Sequence, residues 1–116
     1  MRKAFWLSLC FLIVSACSNV STPKDVVVID WANWLKDGES VFWKLDQGKY
    51  KLDLTASGDG VDVEWVGAGC PGAKETKNYS VICQLNQTSQ LIVKNPTAFG
   101  LGASSSVTVK VVKLAN

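Results

Sequence analysis

From about residue 40 onward the chain alternates apolar and polar residues with a period of two, and only an extended strand with one buried face satisfies that pattern. The stretch YKLDLTA (50–56) places Tyr50, Leu52, Leu54 and Ala56 on one face and Lys51, Asp53 and Thr55 on the other. VDVEW (61–65) sends Val61, Val63 and Trp65 inward, and YSVICQL (79–85) does the same with Tyr79, Val81, Cys83 and Leu85. QLIVK (90–94) and VTVKVVKL (107–114) continue the pattern; upstream, DVVVID (25–30) and SVFWKL (40–45) supply two earlier strands. Ser57-Gly58-Asp59-Gly60 and NQTS (86–89) are turn signals, while GAGCPGAKETK (67–77) and NPTAFGLGASSS (95–106) read as loops. Between the first two strands, WANWLKDG (31–38) predicts one helical turn, capped by Asp30 and ended by Gly38, with Trp31, Trp34 and Leu35 on a common face. Short strands with a turn signal roughly every ten residues predict an all-β fold: a small antiparallel β-sandwich, jelly-roll-like, of about seven strands.

The first sixteen residues follow a different rule. Met1-Arg2-Lys3 is a short positive segment, and residues 4–14 are apolar apart from Ser8 and Cys10. Ser15-Ala16 then supplies the small residues of a cleavage site. About a dozen apolar residues are too short to cross ~30 Å of hydrocarbon as a helix, so the segment reads as a removed export signal. Val14-Ser15-Ala16-Cys17 resembles the lipobox of bacterial lipoproteins, with Val in place of the commoner Leu. The resemblance implies cleavage before Cys17, a diacylglyceryl group on its sulfur and acylation of its amino group. The rival reading is an ordinary signal peptide cleaved after Ala16, with Cys17 free or paired. Ser18, where Asp commonly retains a lipoprotein at the inner membrane, resembles the outer-membrane-sorted class; in a Gram-positive host the anchor lies on the outer face of the cell membrane. Residues 18–24 (SNVSTPK) then form a polar tether, and 25–116 form the sandwich domain.

Given that resemblance, the cysteine count simplifies. Of the four cysteines, Cys10 leaves with the signal and Cys17 carries lipid, so Cys70 and Cys83 pair with each other. Export places them in a compartment that permits disulfides. Two cysteines without histidine cannot complete a tetrahedral metal site or a Cys–His nucleophile pair. The segments GKYKLDLTAS and VDVEW are also similar to the sandwich domains of secreted bacterial enzymes of the pre-peptidase C-terminal type, over residues 40–65 and the last strand. That resemblance implies fold alone.

Composition narrows the function. The sequence has no histidine, which excludes a Ser-His-Asp triad and removes the commonest general base, so no enzyme is expected. Arg2 and Lys3 are two of the twelve basic residues; ten remain against ten acidic ones once the leader is removed. A neutral mature chain argues against nucleic acid and is expected to offer no polybasic patch for anionic lipid. Asp59, Asp62 and Glu64 form an acidic cluster beside a glycine turn. It reads as a solvated face; its hard oxygen ligands would suit calcium, but the spacing does not match an EF-hand loop. No cofactor is expected.

The aromatic residues carry the functional expectation. Trp65 and Trp43 alternate inward, whereas Phe42 falls on the opposite face of its strand from Val41, Trp43 and Leu45. Trp31 and Trp34 either close an open end of the sandwich or form an exposed platform, and Phe99 sits in the long loop among small residues. The expected role is a non-catalytic binding domain, held at the envelope by Cys17, for an envelope protein or glycan. It would use Trp31, Trp34, Phe42, Phe99 and, less centrally, Trp43. A hydrolase inhibitor, of lysozyme for example, and a phage-type receptor blocker are protein-binding forms of this reading. The alternative is a structural envelope component with no small ligand. Metabolic labelling with palmitate is expected to mark the wild-type protein, and Cys17→Ala is expected to lose the label and leave the membrane fraction.

Overall fold

The computed structural model describes residues 24–96 and 102–115, in which the alternation becomes eight strands. They are β1 (Val26–Leu35), β2 (Ser40–Leu45), β3 (Gly48–Ala56), β4 (Val61–Val66), β5 (Ala73–Thr76), β6 (Asn78–Leu85), β7 (Ser89–Lys94) and β8 (Ser105–Lys113). Two four-stranded sheets result, ordered β1-β8-β3-β6 and β2-β7-β4-β5, with every neighbour antiparallel. Successive strands change sheet except β4 and β5, which is the double Greek-key wrap of a jelly roll.

The inner faces meet in one core. β8 supplies Val107, Val109 and Val111, β7 supplies Leu91 and Val93, β3 supplies Leu52 and Leu54, and β4 supplies Val61 and Val63. All are buried, as the alternation predicts. Removing a Leu or Val side chain from water contributes ~1.5–3 kcal/mol, so these positions hold the two sheets together.

Two expectations need correction. The helical turn over 31–38 does not form, because β1 runs on to Leu35 and pairs Asn33 with Val107, Trp34 with Ser106 and Leu35 with Ser105. A full ladder against β8 outweighs one capped turn, whose nucleation is unfavourable. The chain then reverses at residues 36–39, where Glu39 N–H donates to the Lys36 carbonyl at 2.9 Å. The strand count rises to eight because the Gly/Pro stretch contains β5, which pairs Val63 with Ala73 and Val61 with Thr76 across an irregular register. Gly72 permits that approach: a Cβ there would lie 2.4 Å from the Val63 carbonyl oxygen.

Each open side of the sandwich is closed by a specific contact. On the β1/β2 side, Trp31 and Trp43 meet edge to face with ring centroids 5.4 Å apart. On the β5/β6 side, the Cys70–Cys83 disulfide joins the segment before β5 to β6, with Cα atoms 5.9 Å apart. Beside it Trp65 Nε1–H donates to the Tyr79 hydroxyl at 3.1 Å, and Tyr79 donates in turn to the Pro71 carbonyl. At the end where the chain enters, the Tyr50 hydroxyl donates to the Asp46 carbonyl at 2.9 Å and Lys113 Nζ lies 5.9 Å from its ring centroid. Burial, with a smaller contribution from the Asp46 charge, pushes the Tyr50 phenol above its ordinary value.

Urea unfolding is expected to show a loss of about 2–5 kcal/mol for Leu91→Ala, which leaves a cavity at a fully buried site. Reducing the disulfide, which spans 13 residues of sequence, is expected to cost about 3 kcal/mol in the same assay.

Candidate functional site

The sandwich divides the aromatic candidates instead of gathering them. Trp31 and Trp43 are half-buried and pack against the core, so they serve the closure of the β1/β2 side. Trp34, 61% exposed, stands on the outer face of the first sheet, opposite Ser106. Phe42, 60% exposed, stands on the outer face of the second sheet. These outer faces point away from each other, so Trp34 and Phe42 do not make one surface. Phe99 and Cys17 lie outside the described residues.

Phe42 is the aromatic with a built environment. It pairs with Ile92 of β7, and Ile92 pairs with Glu64 of β4, giving an outer-face row Phe42–Ile92–Glu64. The adjacent row is Ser40–Lys94–Asp62. Asp62, Glu64, Ile92 and Lys94 floor a groove of about 560 Å³, and Cys70, Gly72, Ala73 and Lys74 wall it on the β5 side. The disulfide and the Tyr79–Pro71 hydrogen bond hold that wall, so the groove is shaped by a covalent link and a side-chain hydrogen bond. Asp62 Oδ1 accepts the Glu75 N–H at 2.9 Å, where Glu75 has a φ of 48°. One carboxylate of the floor is thereby fixed, and it steadies a backbone conformation that L-residues rarely adopt.

The acidic cluster splits between two places. Asp62 and Glu64 belong to the groove, whereas Asp59 sits in the β3–β4 turn beside a second cavity of about 100 Å³. Among the described residues no three His, Cys, Asp or Glu side chains are placed to hold a metal ion. Asn95, buried at the edge of the small cavity, donates through Nδ2 to the carbonyls of Leu35 at 2.9 Å and Ala103 at 3.0 Å. It ties the end of β1 to the start of β8.

Chemically, the groove offers Ile92 between two carboxylates and the Lys74 and Lys94 ammonium groups, and Phe42 stands beside Ile92 at its margin. That suits a ligand with both C–H faces and hydroxyl or amide edges. Sequence reasoning singled out Phe42, Asp62 and Glu64 but missed Ile92, Lys74 and Lys94. Outer-face neighbours become visible only when strand register is known. No family model and no curated protein matches the chain.

Gly72→Ala is expected to push the groove wall off β4 and to lower stability by about 1–3 kcal/mol in urea unfolding. Gly69, whose added Cβ would meet nothing within 4 Å, is the control, and its Ala variant is expected to stay within about 0.5 kcal/mol of wild type.

Proposed function

We propose that this protein is a lipid-anchored cell-envelope lipoprotein whose sandwich is a non-catalytic binding domain for an envelope glycan or protein. The observation that carries this reading is the exposed Phe42, set in one row with Ile92 and Glu64 beside a groove that contains carboxylate and ammonium groups. A bare aromatic ring stacks on the C–H face of a sugar or anchors a protein contact, and the flanking charges bond hydroxyls or amides. The lipobox-like Val14-Ser15-Ala16-Cys17 supports the anchor, and the absence of histidine from the sequence supports binding without catalysis. A hydrolase inhibitor working through the same surface is the protein-partner form of the reading. The structural-component alternative needs an open edge for strand addition, and the irregular register between Val27 and Ile29 interrupts the β1 edge.

Calorimetric titration with soluble peptidoglycan fragments, and with a purified muramidase, tests this reading. Binding to one of them is expected, weakened about tenfold or more by Phe42→Ala and little changed by Trp34→Ala. Binding that is indifferent to Phe42, or a stable homo-oligomer with no binding, would overturn it.

A further inference from the structure

The ten lysines and ten acidic side chains of residues 24–116 cancel in sum, but the fold separates them. One end of the sandwich is where β1 and β3 begin and β8 and β6 finish; it gathers Lys24, Lys49, Lys51 and Lys113. Asp25 and Asp46 share that end, and Asp25 Oδ1 accepts the Ala115 N–H at 2.7 Å. The opposite end, made by the turns at 36–39 and 57–60 and by the β5–β6 junction, holds Asp37, Glu39, Asp59, Asp62 and Glu75 against Lys36, Lys77 and Lys94. The molecule is therefore polarised along its strands, although its sequence contains no basic run.

The basic end also carries the exposed aliphatic side chains. Across the outer face of the first sheet the register aligns Val27, Val112, Lys51 and Ile82 in one row. Val27 and Ile82 are exposed, and Val28, unpaired at the register shift, is exposed beside them on the β1 edge. Lys51 lies inside the row and 4.0 Å from Asp53, with Lys49 on the same face. Aliphatic side chains interleaved with lysines, whose stems lie along apolar surface while their ammonium groups reach outward, match the boundary between acyl chains and anionic headgroups.

The geometry points to this basic, aliphatic end of the first sheet as a seat on an anionic lipid surface. The inference rests on the anchored reading above, because chain length then delivers the patch to the bilayer. Nine residue steps separate Cys17 from Val26, and a chain of that length spans about 30 Å at most. A tether so short holds the patch at millimolar effective concentration over the surface, so individually weak contacts suffice. Seated in this way, the outer face of the second sheet, with Phe42 and its groove, faces away from the membrane.

Lysine footprinting on vesicles tests the seat. The chain from Cys17 onward holds every described strand, and with Cys70 and Cys83 paired its Cys17 thiol couples selectively to a maleimide lipid. Amine acetylation is then compared on phosphatidylglycerol-rich and pure phosphatidylcholine vesicles. On the anionic vesicles Lys49, Lys51 and Lys113 are expected to react about fivefold more slowly or less, with Lys36 and Lys77 unchanged. The Lys49→Glu/Lys51→Glu variant, whose substitutions lie on the outer face, is expected to keep the wild-type near-ultraviolet spectrum and lose the protection at Lys113. Equal reactivity on both vesicles, protection at Lys36 and Lys77 instead, or protection that tracks crosslinked dimers would overturn the proposal. Chemical coupling makes this outcome independent of cellular acylation. Absence of palmitate labelling in cells would overturn the anchored reading while leaving a lipid-binding patch demonstrated.

Discussion

The burial of β8 against β7 is the contact on which the rest of the molecule depends. Val107, Val109 and Val111 come from a strand flanked by β1 and β3, and Leu91 and Val93 from one flanked by β2 and β4. Both strands are interior to their sheets, so each register in the fold is set directly or at one remove by how they lie. The two open sides are then closed by unlike means. Trp31 against Trp43 is a packing contact, whereas the Cys70–Cys83 bond, with Trp65, Tyr79 and Pro71 beside it, is covalent and hydrogen-bonded. The side closed covalently is also the side that bears the groove wall. Its shape therefore draws on loop-closure entropy as well as on the core.

Much of this architecture is legible in the sequence, for a physical reason. A strand with one buried face must alternate, so the inward positions of β2, β3, β4, β6, β7 and β8 follow from the order of apolar and polar residues alone. The failures occur where local chemistry is ambiguous. Residues 31–35 carry helix-compatible side chains, and only the length of β8 shows that they extend. Ala73–Thr76 is too short and too glycine-flanked to announce itself, and it forms because Gly72 lets the backbone approach Val63. The candidate site was legible in part for the same reason. Phe42 stands out as an apolar residue on a polar face, which alternation exposes directly. Ile92, Lys74 and Lys94 become its neighbours through the pairing of separate strands, and no local pattern encodes that. Asn95 is similar: it reads as the first residue of a loop, yet its amide joins the end of β1 to the segment before β8.

Charge shows how far summation misleads. A neutral total conceals lysines brought together from the chain entrance, β3 and β8, and carboxylates brought together from the turns at the other end. The antiparallel wrap produces the separation by placing both chain termini of the first sheet at one end. Aliphatic exposure follows the positive end, and the groove with its aromatic ring lies on the opposite sheet. The two surfaces thus differ in chemistry as well as direction, which suits a domain that is held on one side and binds on the other.

The central claim is that the outer face of the second sheet is the one that meets a partner. The most direct measurement places a photoreactive phenylalanine analogue at position 42 and, in a separate variant, at Thr55 on the outer face of the first sheet, followed by irradiation of intact cells. A discrete glycan or protein adduct from position 42 and none from position 55 is the predicted result. Adducts from position 55 alone, or from neither position, would contradict it.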